Sequence, residues 1–196
     1  MKARIGIYSG TFNPIHTGHI GFALQAVNLG RLDKVYFMPE RYHRNKTDVA
    51  HFAHRVAMVR QAIRPHQRLG LIEDSSISFS VEHTLPKLSY RFKGATLVFL
   101  IGSDTLARLK QWPKVESLLR SSELIVGIRE GDKDYVRLWL NQLPVQPQKV
   151  QLINSFVPGA SSTKVREALR RQQETDGILP SVRKYSDQNW LYISIA

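Results

Sequence analysis

Short apolar or β-branched runs alternate along this chain with longer stretches of helical periodicity. Arg4 to Tyr8 predicts a first strand, and Ile20 to Leu29 a helix closed by Gly30. Val35 to Met38 predicts a second strand. Phe52 to Ile63 follows as a helix, with Val56, Val59 and Ile63 recurring at helical spacing. Leu69 to Ile72 is a candidate third strand, and Val81 to Leu88 a weaker helix that contains Pro86. Thr96 to Ile101 is the clearest central strand, with helical stretches at Thr105 to Lys110 and Lys114 to Leu119 behind it. A strand at Leu124 to Ile128, a helix at Tyr135 to Leu143, a strand at Val150 to Ile153 and a helix at Thr163 to Arg171 complete the series. Strands alternating with helices imply an α/β fold, a doubly wound and mostly parallel sheet with helices on both faces. The polar stretch Pro144 to Lys149 is short and reads as a loop, and there is no internal repeat. The expected organisation is one domain over residues 1–196, with a small helical C-terminal portion from about residue 161.

Composition narrows this picture. Hydrophobic residues make up 42% and charged residues 22% of the 196 positions, which is ordinary for a globular protein. The formal net charge is +12, so anionic partners are favoured: nucleotides, phosphorylated metabolites, nucleic acid or acidic membranes. No cysteine is present, which excludes disulfides, thiolate metal sites and cysteine nucleophiles. Ile5 to Tyr8 is too short for the core of a signal peptide, and the longest apolar run, Leu97 to Ile101, is far below spanning length. A cytoplasmic location is the expectation, with no membrane partner.

In doubly wound sheets, ligands bind beyond the carboxyl ends of the strands. The first strand runs into Ser9-Gly10-Thr11-Phe12-Asn13-Pro14-Ile15-His16-Thr17-Gly18-His19. Gly10 permits a sharp turn that brings backbone amides to a ligand, and Pro14 stiffens the loop. Thr17 is a candidate cap for a helix starting beside Gly18. A helix start presents free amides and the positive end of a dipole, which suits a phosphate. His16 and His19 are three positions apart and can face one anion if the second lies in the first helical turn. A surface histidine pair or a weak metal site is the plainer alternative.

A second cluster, Ser161-Ser162-Thr163-Lys164-Val165-Arg166, follows Pro158-Gly159-Ala160. Hydroxyl residues at a helix start cap it, and Arg166 falls one turn on, on the same side as Ser162 and Thr163. Together they can clamp an anion. A capped helix with a surface arginine is what this segment would mean in isolation. Between the clusters, Ile101-Gly102-Ser103-Asp104 follows the central strand, where a carboxylate is placed for ribose hydroxyls. Trp112 can stack on a flat ring or pack in the core.

The string T-F-N-P-I-H-T-G-H resembles the H-x-G-H signature of the nucleotidylyltransferase superfamily, and most closely its nicotinate mononucleotide adenylyltransferases, which carry G-G-T-F-D-P-x-H-x-G-H. Ser9 stands for the first glycine and Asn13 for the aspartate. S-S-T-K-V-R is similar to the superfamily's second motif, I-S-S/A-T-x-x-R, with Ala160 before it in place of Ile. The G-S-D segment followed by Trp112 resembles the nicotinate branch. So does Phe79-Ser80-Val81-Glu82-His83-Thr84-Leu85, which is similar to a Y-T-x-D-T-L stretch lining the nicotinate pocket. Leu124 to Gly131 resembles L-I-V-x-x-R-P-G, with Arg129 retained and Glu130 in place of Pro. Arg55 and Met58 match an R-x-x-M spacing with an expected structural role. The segment Pro39 to Lys46 corresponds to a loop ending in P-H-K. His43 and Lys46 are spaced differently there, which leaves Lys46 as the candidate phosphate contact and a solvated basic loop as its alternative. Ile178-Leu179-Pro180, Tyr185 and Leu191-Tyr192 echo the C-terminal pattern, so the resemblance spans nearly the full chain in motif order.

The resemblance implies a Rossmann-like fold and adenylyl transfer from ATP to nicotinate mononucleotide, giving the deamido dinucleotide and pyrophosphate in NAD biosynthesis. It assigns His16 and His19 to catalysis. It assigns Ser9, Gly10, Thr11, Phe12, Gly18, Lys46, Ser162, Thr163 and Arg166 to ATP and its phosphates. Gly102, Asp104, Trp112, Thr84 and Arg129 fall on the nucleotide and acceptor side. Mg²⁺ is expected with ATP, held by phosphates and water rather than by protein side chains. A homo-oligomer is left open. The nearest rival is a sister enzyme acting on nicotinamide mononucleotide or another phosphorylated acceptor. A non-catalytic nucleotide- or RNA-binding protein on the same fold is the second, and a histidine-bound metal hydrolase, short of a third ligand, the last.

Overall fold

The computed structural model describes residues 2–41, 49–74, 78–129, 131–154 and 160–193. Six strands form one sheet in the order β3-β2-β1-β4-β5-β6. They are β1 (Arg4–Gly10), β2 (Lys34–Pro39), β3 (Leu69–Leu71), β4 (Thr96–Gly102), β5 (Glu123–Ile128) and β6 (Val150–Asn154). Every neighbouring pair is parallel, so the expected mostly parallel sheet is wholly parallel here. Strand order reverses between β1 and β4, and the crevice beyond their carboxyl ends is where such sheets bind ligands.

Side chains alternate along the central strands and divide the core in two. On β4, Leu97, Phe99 and Ile101 enter one apolar layer, while Val98 and Leu100 enter the other. The Val98–Leu100 layer is roofed by α1 (Thr17–Leu29), α2 (Phe52–Ile63), α7 (Ser162–Arg170) and α8 (Pro180–Gln188). The opposite layer is covered by α3 (Thr84–Arg91), α4 (Ser103–Leu109), α5 (Val115–Ser121) and α6 (Lys133–Asn141).

Several boundaries differ from the sequence expectation for local reasons. The helix after β1 begins at Thr17 rather than Ile20, and its N-cap is the extended residue His16 (φ −142°), not Thr17. The Thr17 hydroxyl instead donates to the carbonyls of Asp176 and Gly177, at 3.2 and 3.3 Å. The helix expected from Val81 starts at Thr84. Pro86 then falls in its first turn, where a missing amide costs nothing. In the C-terminal helical portion, α8 opens with Pro180 and packs on α2: Ser186 Oγ meets Met58 Sδ at 3.6 Å, and His54 Nδ1 meets the Tyr185 hydroxyl at 3.1 Å.

Leu100 is 1% exposed at the centre of the sheet, where its neighbours are strands that cannot collapse into a void. Leu100→Ala is expected to cost about 3 kcal/mol, read as a lower urea midpoint with an unchanged m-value.

Candidate active site

The turn from β1 into α1 is built around Phe12. This residue holds a positive φ of 47°, a conformation costly for any residue with a Cβ. Its ring packs edge-on against Tyr8, His19 and Phe37, with centroids 5.4, 5.1 and 5.4 Å away. The ring also occupies the space over Gly10, where an added Cβ would lie 3.2 Å from Phe12 Cζ. Gly10 is therefore required for the close approach of Phe12, whereas the left-handed residue expected of a sharp turn is Phe12 itself.

His16 and His19 are brought together: their rings lie 3.6 Å apart at 32°. The His16 backbone amide donates to His19 Nδ1 at 3.2 Å. In its neutral form His19 therefore carries its proton on Nε2. His16 is 7% exposed. Burial, reinforced by the nearby Arg129 guanidinium, lowers its pKa from 6.5 to about 4. It is an uncharged imidazole at neutral pH. Burial likewise raises the Tyr8 phenol, which lies beneath this pair.

The hydroxyl-rich start of α7 meets this turn directly. Ser162 Oγ donates to the Pro14 carbonyl at 3.0 Å, and Arg166 Nη1 donates to the Asn13 carbonyl at 2.8 Å. Arg166 Nη2 reaches the Thr163 hydroxyl at 3.4 Å. The cap of α7 is Ser161, whose side chain accepts from the Lys164 amide at 3.2 Å. Contact is close enough that a Cβ on Gly18 would lie 3.1 Å from both the Ala160 methyl and the His16 ring. Among the described residues, two buried side-chain nitrogens lack a hydrogen-bond partner, His16 Nδ1 and Arg166 Nε, one on each side of this junction.

The ends of β4 and β5 form the other rim. Gly102 caps α4, and a Cβ there would lie 2.5 Å from Asp104 Oδ1. Asp104, half-buried, pairs with the exposed Arg129 at 3.4 Å. Ser103, fully buried, donates to Asp132 at 2.6 Å and accepts from the Arg129 amide at 3.1 Å, which pins that rim.

Two expected site residues are turned onto the protein's own groups. Ser9 donates to the Glu40 carboxylate at 2.9 Å, because the end of β2 lies beside it. Thr84 is 1% exposed and its hydroxyl accepts from the Ser80 amide at 3.0 Å, so it closes the start of α3 instead of facing the crevice. Trp112 is half-buried in the turn after α4, against Phe79 at 5.7 Å. Lys46, His43, Glu130, Pro158 and Gly159 lie outside the described residues. Two residues on the turn carried no assigned site role. Arg55 donates to the Thr11 carbonyl at 2.6 Å, and the Tyr192 hydroxyl meets Asn13 Oδ1 at 2.7 Å. Their partners are a main-chain oxygen and a remote amide, which no local pattern announces. Among the described residues, no group of three or more His, Cys, Asp or Glu side chains is placed to hold a metal ion, and no helix is long and apolar enough to cross a membrane.

Two interlocked turns, paired imidazoles and two buried nitrogens without partners thus meet beside the strand-order reversal of a doubly wound α/β fold, where such sheets bind ligands. Comparison with known proteins gives the particular lineage. A family profile described as cytidylyltransferase-like matches residues 7–168. A probable nicotinate-nucleotide adenylyltransferase of Neisseria meningitidis is 31% identical over 199 residues, covering 96% of this chain and 98% of that protein. One of Clostridium perfringens is 33% identical over 192 residues, covering 90% and 91%. Among solved structures, Plasmodium falciparum nicotinic acid mononucleotide adenylyltransferase complexed with NaAD superposes with a TM-score of 0.78 at 22% identity, covering 97% of each chain. The chain belongs to the cytidylyltransferase-like family.

The depressed His16 pKa has a thermodynamic consequence. The unfolded chain protonates this imidazole near pH 6.5 and the folded one only near 4. Unfolding therefore takes up a proton between those values, and stability falls as pH drops through that window. The whole effect is roughly 3 kcal/mol. His16→Gln should remove most of this slope, measured as the difference between wild-type and variant urea midpoints at pH 7 and pH 4.5.

Proposed function

We propose that this protein transfers the adenylyl group of ATP to nicotinate mononucleotide, forming the deamido-NAD dinucleotide and pyrophosphate, and so acts in NAD biosynthesis in the cytoplasm. The observation that carries the reading is Arg166 Nε, a buried donor without an acceptor, beside the buried His16 imidazole where two turns interlock. A buried nitrogen without a partner costs about 1–3 kcal/mol, and phosphate oxygens are the acceptors that a cationic, dipole-lined crevice selects. The names of the full-length relatives support the pyridine mononucleotide as acceptor. The whole chain is read as one nucleotidyltransferase unit.

In this reading an acceptor phosphate oxygen attacks the α-phosphorus of ATP in line. The new phosphorus–oxygen bond forms as the bond to the bridging oxygen breaks, and pyrophosphate leaves with that electron pair. The substrate brings its own oxyanion, so no side chain becomes a nucleophile. The protein holds two anionic reactants together and stabilises charge on the equatorial oxygens. His16 and His19 are assigned to that charge. The turn around Gly10, Thr11 and Phe12, the Gly18 amide, Thr163 and Arg166 are assigned to the phosphates. Ser162 acts by holding the turn. Gly102 and Asp104 are assigned to ribose, Arg129 to the acceptor phosphate and Trp112 to the pyridine ring.

The donor set around the crevice is imidazole and guanidinium with one arginine-paired carboxylate, which suits Mg²⁺ arriving on the triphosphate rather than in a protein cage. There it would neutralise phosphate charge. The net charge of +12 also motivates the RNA-binding alternative, for which steep salt dependence of RNA affinity would be the sign.

Pyrophosphate release is expected with ATP and nicotinate mononucleotide, and more slowly with nicotinamide mononucleotide, when both are assayed side by side. Equal or faster use of the amide would overturn the acceptor assignment. His19→Ala is expected to lower kcat by on the order of 10²–10³, with the far-UV spectrum unchanged.

A further inference from the structure

Arg55 is 1% exposed and is the largest fully buried side chain among the described residues. Its guanidinium meets main-chain oxygens on three sides: Nε donates to Ala50 at 2.9 Å, Nη1 to Thr11 at 2.6 Å and Nη2 to Arg41 at 3.0 Å. Its cation also lies 5.5 Å from the ring centre of Phe52 on its own helix. Burial lowers its pKa, and the compensating influences are the hydroxyl of Tyr192 and the carboxylate of Glu40. A buried arginine is expensive, and packing α2 against the sheet would be served by an apolar side chain.

The Thr11 contact explains what the charge is for. The peptide joining Thr11 to Phe12 is trans, since the one cis bond of the turn is Asn13–Pro14. In a planar trans peptide the carbonyl and the following N–H point in opposite directions. Drawing the Thr11 oxygen toward α2 therefore turns the Phe12 N–H away from it. The same grip supports the positive φ of Phe12, which an unheld chain would relax.

We infer that Arg55 is a positioning residue that aims the Phe12 amide at a nucleotide phosphate by holding the Thr11 carbonyl. Lysine cannot reproduce this grip: its single nitrogen carries the charge but not the planar fork that reaches three carbonyls at fixed angles. The inference rests on the proposed ATP-dependent reaction, and the test separates the two.

Amide spectra of wild-type protein and of Arg55→Lys would be recorded with and without a non-hydrolysable ATP analogue. In wild type, the Phe12 and Gly18 amides are both expected to shift. In Arg55→Lys the Gly18 shift should persist and the Phe12 shift should be lost. In the same variant, kcat/KM for ATP should fall about 10²-fold, with KM for the mononucleotide changed less than about threefold. A purely structural role would instead lower activity in proportion to the folded fraction and leave the Phe12 response intact, which would overturn the inference. A wild-type Phe12 amide that stays still while Gly18 moves overturns it as well. If neither amide moves, the nucleotide reading of the site falls with it. Should Arg55→Lys not fold, wild-type protein decides. Arg55 guanidinium protons that exchange freely with solvent in the analogue complex would sink the proposal, and protons that stay protected beside a shifted Phe12 amide would support it.

Discussion

The site depends on how the carbonyl oxygens of one turn are held. Between β1 and α1 the chain makes few hydrogen bonds of its own, yet its oxygens lie in a crowded interior where unpaired polar groups are costly. Side chains from distant elements take them up. Arg55 from α2 holds Thr11, Arg166 from α7 holds Asn13, and Ser162 at the start of α7 holds Pro14. Each peptide plane is oriented by the group that grips its oxygen. Three carbonyls of the turn, those of Thr11, Asn13 and Pro14, are thus turned onto cationic or hydroxyl donors.

The same arrangement accounts for the electrostatics of the crevice. Arginines gather at the turn because they serve as hydrogen-bond donors to its backbone, and their charge remains to attract anions. His16 is buried beside that charge and stays neutral at neutral pH, so it adds no further buried cation. Asp104 is the counterweight on the opposite rim, paired with Arg129. The pinning of that rim through Ser103 keeps this pair over the end of β4, across the crevice from the imidazoles.

Much of this was legible in the chain itself. The alternation of strands with helices is local, so the doubly wound sheet could be read from periodicity, and the glycines, histidines and hydroxyls of the two turns announced themselves by type and spacing. The hydroxyls of Ser9 and Thr84 take partners that their spacing does not announce, for a common reason. A hydroxyl is small and adaptable, and its direction is set by whichever acceptor or donor the fold brings near, here Glu40 and the Ser80 amide. Trp112 shows the same ambiguity in an aromatic, since its tilted packing against Phe79 at 5.7 Å is what a core residue would make.

By itself the sequence determined the order of elements and the place of the two turns rich in glycine, histidine and hydroxyls, because these rest on backbone preferences and side-chain types within a few positions. Only the tertiary structure decided which groups complete the turns. Arg166 and Asn13 are 153 positions apart and Tyr192 and Asn13 are 179 apart, and Arg55 meets a carbonyl that every residue possesses. A main-chain oxygen leaves no mark in a sequence, so the partners that orient the turn become visible when the chain is folded around it.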